Sequence, residues 1–208
     1  MLTDEPLRDL LAAFSSPDPT PGGGSASALA SAIGVSLLSM VAGLPRTRSG
    51  SDEDRTALQR VKVELDDLQR QLIEAVDADA NAYGQVLAAF RLPRAAGSGA
   101  EARRAAIQDA TLAATRVPLS VVQLSASALV RARTVAAHGN RAAASDVGTA
   151  IALLRAGLEG AHLNVVTNLG GLKDQTLVET LRAEAERLAA QAGRAAEEAQ
   201  RSLQADPG

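Results

Sequence analysis

The sequence has no cysteine and no tryptophan, and its aromatic residues are limited to Phe14, Tyr83 and Phe90 in 208 positions. Without cysteine, disulfides and thiolate metal sites are excluded. An excess of positive charge is missing as well, because 21 basic against 24 acidic residues leave a net charge of −3. That balance excludes the basic face on which nucleic-acid binding depends. The amino terminus carries Asp4 and Glu5 and has no basic n-region, so it does not read as a secretory signal. A cytoplasmic protein is expected.

What the chain does have is Ala, Leu and Val, within a hydrophobic content of 46%. A core built from these residues without aromatics favours closely packed helices, since Ala and Leu lead the helix propensity scale. The length suits one large domain over residues 1–208 better than two. A chain of this size buries roughly 70% of the surface its unfolded form exposes.

The stretch DPTPGGGSASALASAIGVSLLSMVAGLP, Asp18 to Pro45, carries no charge after its first residue. From Ser25 to Leu44 it is long enough to cross a bilayer, which takes about 20 residues. Five serines (25, 27, 31, 36 and 39), many alanines and no flanking Lys/Arg cluster argue instead for a buried helix. No membrane partner is expected.

Elsewhere the pattern is helical throughout. Thr3 caps a short helix to Phe14 with Pro6 in its first turn, and SSPDPTPGGG ends it. After the polar linker PRTRSGSDED, apolar residues at 58, 61, 65, 68, 72, 76, 83, 86 and 90 mark one long amphipathic helix. LPRAAGSGA reads as a turn. Helices are then predicted from about Glu101 to Arg116, Pro118 to His138, Ser145 towards Asn168, and Gln175 to about 204. The last of these reads as a solvated amphipathic helix suited to packing on another subunit, and the closing residues read as a frayed tail. No run alternates as a strand would, and no fixed-period repeat is present. The predicted class is all-α, a single helical bundle with a core of about 7–187.

Several residues stand out chemically. The glycine run lacks the Lys-Ser/Thr of a P-loop and the preceding strand of a dinucleotide fold. Gly22, Gly23 and Gly24 nonetheless let backbone N–H groups approach a ligand at a helix start, or serve as a hinge before an N-capping Ser25. On the long helix, the apolar seam 72, 76, 79, 83, 86, 90 contains Asp79, with Asp77 on its flank. A carboxylate on a buried face needs a hydrogen-bonding partner, such as a neighbouring helix end, or a function. HGNRAAASDVG brings Asn140, Ser145 and Asp146 to a helix start, where Gly139 would end one helix and Ser145 cap the next. Asn164 and Asn168 lie one turn apart above Gly157 and Ala161, a groove for a partner helix or planar ligand. His138 and His162 lack metal-ligand spacing, and no metal site is expected.

Taken together, PTPGGGSASA with LLSMVAGL, VDADANAYGQVLAAFRLP, AAIQDATLAATRVPL, GNRAAASDVGTA and GAHLNVVTNL…LKD resemble the cyclodeaminase/cyclohydrolase family of folate one-carbon enzymes. They occur in family order over roughly Leu7 to Arg187. One departure is clear: after MVAGL the family continues with Thr and basic residues, whereas here PRTRSGSDED intervenes. The resemblance implies an all-α homodimer whose folate site lies in a groove near the subunit interface. It implies that Pro21, Gly22, Gly23, Gly24 and Ser25 line the site, and that Asp79 or Asp146 supplies the catalytic carboxylate. Asp77, Tyr83, Asn140, Ser145, Asn164 and Asn168 would contact substrate.

The implied substrates are tetrahydrofolate derivatives bearing a one-carbon unit on N5, with no cofactor beyond them. In cyclohydrolysis water attacks the methenyl bridge and the ring opens to N10-formyltetrahydrofolate. In cyclodeamination N10 attacks a formimino carbon and ammonia leaves. Both need a base, an acid and a negative charge near a cationic carbon. A stand-alone length favours the cyclohydrolase, with the cyclodeaminase and a non-catalytic folate binder as alternatives.

Overall fold

A computed structural model describes residues 1–94 and 97–204, so the tail and the middle of the LPRAAGSGA turn lie outside the described residues. Six helices account for most of them: α1 (Leu7–Ser15), α2 (Gly23–Ala42), α3 (Asp52–Arg91), α4 (Ser98–His138), α5 (Ala144–Leu169) and α6 (Gln175–Gln204). No strand occurs among the described residues. Uncharged α2 packs between α3 and α5, and α4 lies against α3, α5 and α6. By length and composition residues 23–42 and 99–138 could span a bilayer, but most of their apolar windows is buried in the bundle.

The core replaces aromatic bulk with backbone proximity. Antiparallel α2 and α5 meet through small residues, so that a Cβ on Gly157 would overlap Ser31 Oγ and lie 2.6 Å from the Ser27 carbonyl. Similarly, a Cβ on Gly34 would sit 2.9 Å from the Ala150 carbonyl. Around this seam Leu38, Leu65, Leu72, Leu129, Ile151 and Leu154 are fully buried. The groove read above Gly157 and Ala161 is therefore filled by α2. Buried Ser31 and Ser125 satisfy each other, Oγ to Oγ at 2.8 Å.

Four expectations change. Thr3 caps nothing: Leu2–Asp4 is a short 3₁₀ turn, and Thr3 Oγ1 donates to Asp77 at 2.7 Å. The two helices predicted around Pro118 are one, because Pro118 lies inside α4. Proline removes the N–H that would serve the carbonyl four residues back, and Asn168 Nδ2 on α5 donates to that Ala114 carbonyl at 2.7 Å. The α3 seam is buried only as far as Val76, while Tyr83 and Phe90 are 42% and 54% exposed. The cause is that α2 begins level with Asp79 and leaves the rest of α3 uncovered on that side. Finally, α6 buries Val178, Leu181, Ala185 and four alanines from 192 to 199 within its own bundle.

Candidate active site

Asp79 is where the sequence placed it, on the α3 seam, and its neighbour is the start of α2. The Ser25 N–H donates to Asp79 Oδ2 at 2.8 Å, and Ser25 Oγ is 3.1 Å from the same oxygen. Ser25 Oγ also donates to the Val76 carbonyl at 2.8 Å. Asp79 thus caps α2 from another helix, serving one of the N–H groups a helix leaves unpaired at its start. This moves the start of α2 to Gly23, two residues before the expected Ser25. Gly24 is required by this contact, since a Cβ there would overlap the Asp79 carboxylate.

Burial pushes the Asp79 carboxyl above its ordinary value, and the hydrogen bonds from Ser25 offset only part of that. No Arg or Lys pairs with it among the described residues. Among the described residues its Oδ1 accepts no hydrogen bond, so a half-buried carboxylate with a raised pKa keeps one oxygen available. Asn164 stands opposite: its Nδ2 would be 3.4 Å from a Cβ on Gly23 and donates to the Gly160 carbonyl at 2.8 Å. Its side-chain oxygen accepts no hydrogen bond among the described residues. Tyr83 is one turn beyond Asp79 on α3, exposed, and Pro21 precedes the glycines after a cis peptide.

The other candidates lie elsewhere. Asp77 faces the amino-terminal turn, where Oδ1 accepts from the Leu2 N–H at 2.6 Å and Oδ2 from Thr3 Oγ1 at 2.7 Å. Both its oxygens are occupied. Asn168 is engaged on α4 as described. Asn140, Ser145 and Asp146 sit at the opposite end of α5; eighteen residues separate Asp146 from Asn164, about 27 Å of helix. Ser145 caps nothing, for α5 starts at Ala144 without a side-chain cap. Instead Asn140 Oδ1 accepts from the Ala142 N–H at 3.0 Å. Within one chain, then, the structure joins Gly22–Ser25, Asp79 and Asn164, and sets Asn140 and Asp146 apart.

The motifs passed over a further pair. Asp54, 6% exposed, accepts from the Ser49 N–H and Oγ, both at 2.7 Å, and pairs with His138 Nδ1 at 2.7 Å. The sequence signal was Ser51 three residues before Asp54, the start of a capping box. Burial pushes the Asp54 carboxyl up, but the bonds from His138, Ser49 and Thr47 outweigh it and hold it far below the ordinary value. A depressed carboxyl stabilises the fold above its unfolded pKa, about 3.9, and that contribution is lost as pH falls further. Asp54→Asn is therefore expected to lower stability at pH 7 and to flatten the loss on acidification, measured by urea melts from pH 7 down to about 3.

The all-helical bundle thus sets a half-buried carboxylate, without a charged partner among the described residues, against a glycine-rich helix start. The chain belongs to the formiminotransferase-cyclodeaminase family, whose model matches residues 6–187. It is 36% identical over 193 residues to a methenyltetrahydrofolate cyclohydrolase of Methylorubrum extorquens, covering 93% of each chain. It is 30% identical over 181 residues to the formimidoyltransferase-cyclodeaminase of Rattus norvegicus, covering 87% of this chain and 34% of that protein. The formiminotetrahydrofolate cyclodeaminase of Thermotoga maritima has the same fold, with a TM-score of 0.87 at 23% identity over 98% of both chains.

Proposed function

We propose that this folate one-carbon enzyme is a methenyltetrahydrofolate cyclohydrolase acting as a homodimer. The observation that carries the reading is Asp79, an uncompensated carboxylate with one open oxygen beside Asn164 and the glycine turn. A methenyl bridge is a cationic amidinium, which such a carboxylate attracts in a partly desolvated site. Asp79 removes a proton from water as its oxygen bonds to the bridge carbon, giving a neutral tetrahedral adduct. It then returns that proton to N5 as the C–N5 bond breaks, while the adduct's hydroxyl proton leaves to solvent. The product is the N10-formyl compound plus one released proton. Full-length likeness to the M. extorquens protein supports cyclohydrolysis, and likeness to the rat protein supports cyclodeamination as the second reading.

The test is the absorbance of methenyltetrahydrofolate with purified protein, corrected for spontaneous hydrolysis. Accelerated loss of the signal that Asp79→Ala abolishes supports the cyclohydrolase. Its formation from the formimino substrate with ammonia release favours the cyclodeaminase. Silence in both overturns the enzyme and leaves a folate binder.

The dimer is supported by the outer face of α2, where Ile33 and Met40 are 46% and 43% exposed, half-buried Leu29 and Leu37 share the face, and the helix carries no charge. A self-complementary pairing of this face has its two-fold axis near Ile33. With that axis perpendicular to α2, and with α2 and α5 antiparallel, the Asn140–Asp146 end of one protomer comes to the Gly22–Asp79 end of the other. Two composite sites result, joining residues one chain keeps apart. Ile33→Glu is expected to give a folded monomer by light scattering, with kcat/KM reduced at least tenfold. A fully active monomer overturns the composite site.

A further inference from the structure

We infer that Asp54 and His138 are positioning residues for the half-site at the start of α5, a role that rests on the folate reading above. Asp54 is the third residue after the Ser51 cap of α3, whose Oγ accepts the Asp54 N–H at 3.1 Å. In a capping box the acidic side chain at that position turns back to the N–H of the cap residue. Here it does not: the Ser51 N–H goes to Ser49 Oγ at 3.3 Å, and the Asp54 carboxylate crosses to α4. With Asp54 ionised and able only to accept, His138 Nδ1 carries the proton of that bond. Asp54 in the first turn of α3 and His138 in the last turn of α4 each occupy the helix end that favours an anion and a cation respectively.

The backbone closes the same join. The Arg48 N–H donates to the His138 carbonyl at 2.8 Å, while its guanidinium donates to the carbonyls of Ala136 at 3.1 Å and Ser202 at 3.2 Å. The linker, the start of α3 and the ends of α4 and α6 thus meet at one hydrogen-bonded join. Two residues later comes Asn140, in a turn with internal hydrogen bonds: Ala142 and Ala143 donate to the Asn140 side chain and carbonyl. Ala143 seats the far side of the turn in the core, and the His138 end is held by Asp54. Gly139 brings that end tight to α2, since a Cβ there would sit 3.0 Å from Val41 Cγ1. The charges lining the groove beside His138 do not compete for Asp54. Arg131 Nε donates to Glu64 Oε2 at 2.8 Å, and Arg60 stands exposed on the outer side. Arg48, Ser49 and Asp54 all come from the polar linker PRTRSGSDED.

The test compares His138→Ala with His138→Asn, whose amide can donate to Asp54 in place of Nδ1. Two readouts are taken on the full-length protein: amide hydrogen exchange at residues 139–144, and kcat and KM on methenyltetrahydrofolate. His138→Ala is expected to speed exchange there while the rest of the bundle keeps its protection, and to lower kcat/KM roughly 10- to 100-fold, as an ångström of misplacement does. His138→Asn is expected to restore both. Unchanged exchange in His138→Ala overturns the restraint whatever the activity does. Faster exchange with undiminished kcat/KM overturns the role in the reaction. Asp54→Ala gives the same result as His138→Ala if the pair acts as a unit, and a whole-bundle loss of protection in both variants makes the pair a general staple and overturns the inference. A wild type silent in both folate assays overturns the function and, with it, the catalytic part of this role; the exchange comparison still decides the restraint.

Discussion

Asp79→Asn is expected to lower kcat about a thousandfold, the middle of the range for removing a general acid–base group, while leaving the melting temperature unchanged or slightly raised. Asparagine keeps an oxygen that accepts the Ser25 N–H, so α2 retains its cap. What it removes is a charge that burial disfavours. A carboxyl whose pKa is raised on folding binds its proton more tightly in the folded chain than in the unfolded one. Its contribution favours the fold at low pH and is lost as pH rises through the raised value, so at neutral pH the ionised group costs stability. The same shift predicts that wild-type kcat/KM falls on acidification at a pH above the ordinary carboxylate value of about 3.9, since the base must be ionised. A variant that loses activity together with its fold would make Asp79 only a helix cap. One that keeps near-full activity would move the acid–base role to Asp146.

Gly157→Ala is expected to destabilise the bundle by about 2 kcal/mol, although alanine is the better helix former by about 1 kcal/mol. The added methyl would overlap Ser31 Oγ and approach two α2 backbone atoms, the Ser27 carbonyl oxygen at 2.6 Å and the Ser31 nitrogen at 3.0 Å. Backbone cannot rotate aside as a long side chain can, so α2 and α5 must separate and the leucines around them lose contact. For a chain of this size the change lowers the melting temperature by roughly 4–8 °C. Gly193→Ala is the control: it is also helical, but nothing lies within 4 Å of the added Cβ. It is expected to raise stability by up to about 1 kcal/mol. If the two substitutions behave alike, close approach between α2 and α5 is not what holds this core together.

The elements were legible because their signals are local. Spacings of three and four from Leu58 to Val76 mark a helix without reference to any other part of the chain. Asp79 was legible for a related reason, as an acid in an apolar seam. What the sequence withheld depended on a second element. Tyr83 and Phe90 continue the seam, yet they are exposed because α2 starts too late to cover them. Pro118 signals a break, yet α4 continues because Asn168, fifty residues away in sequence, replaces the lost bond. Asp77 and Asp79 look alike from two positions apart, and only their surroundings separate an anchor for the amino terminus from a carboxylate with an open oxygen. The two halves of the proposed site were equally legible as motifs, but their separation along α5 was not, since spacing in sequence carries no direction across a bundle.

The bond from Asn168 to the Ala114 carbonyl also constrains how the sequence can change over time. While residue 118 is proline, replacing Asn168 strands a main-chain acceptor in the interior. If residue 118 first became an ordinary helix former, its own N–H would serve that carbonyl, and position 168 would be free to vary. The order of the two substitutions therefore matters, with one path crossing a destabilised intermediate and the other avoiding it. A family comparison that found both positions variable would still expect them to vary as a pair.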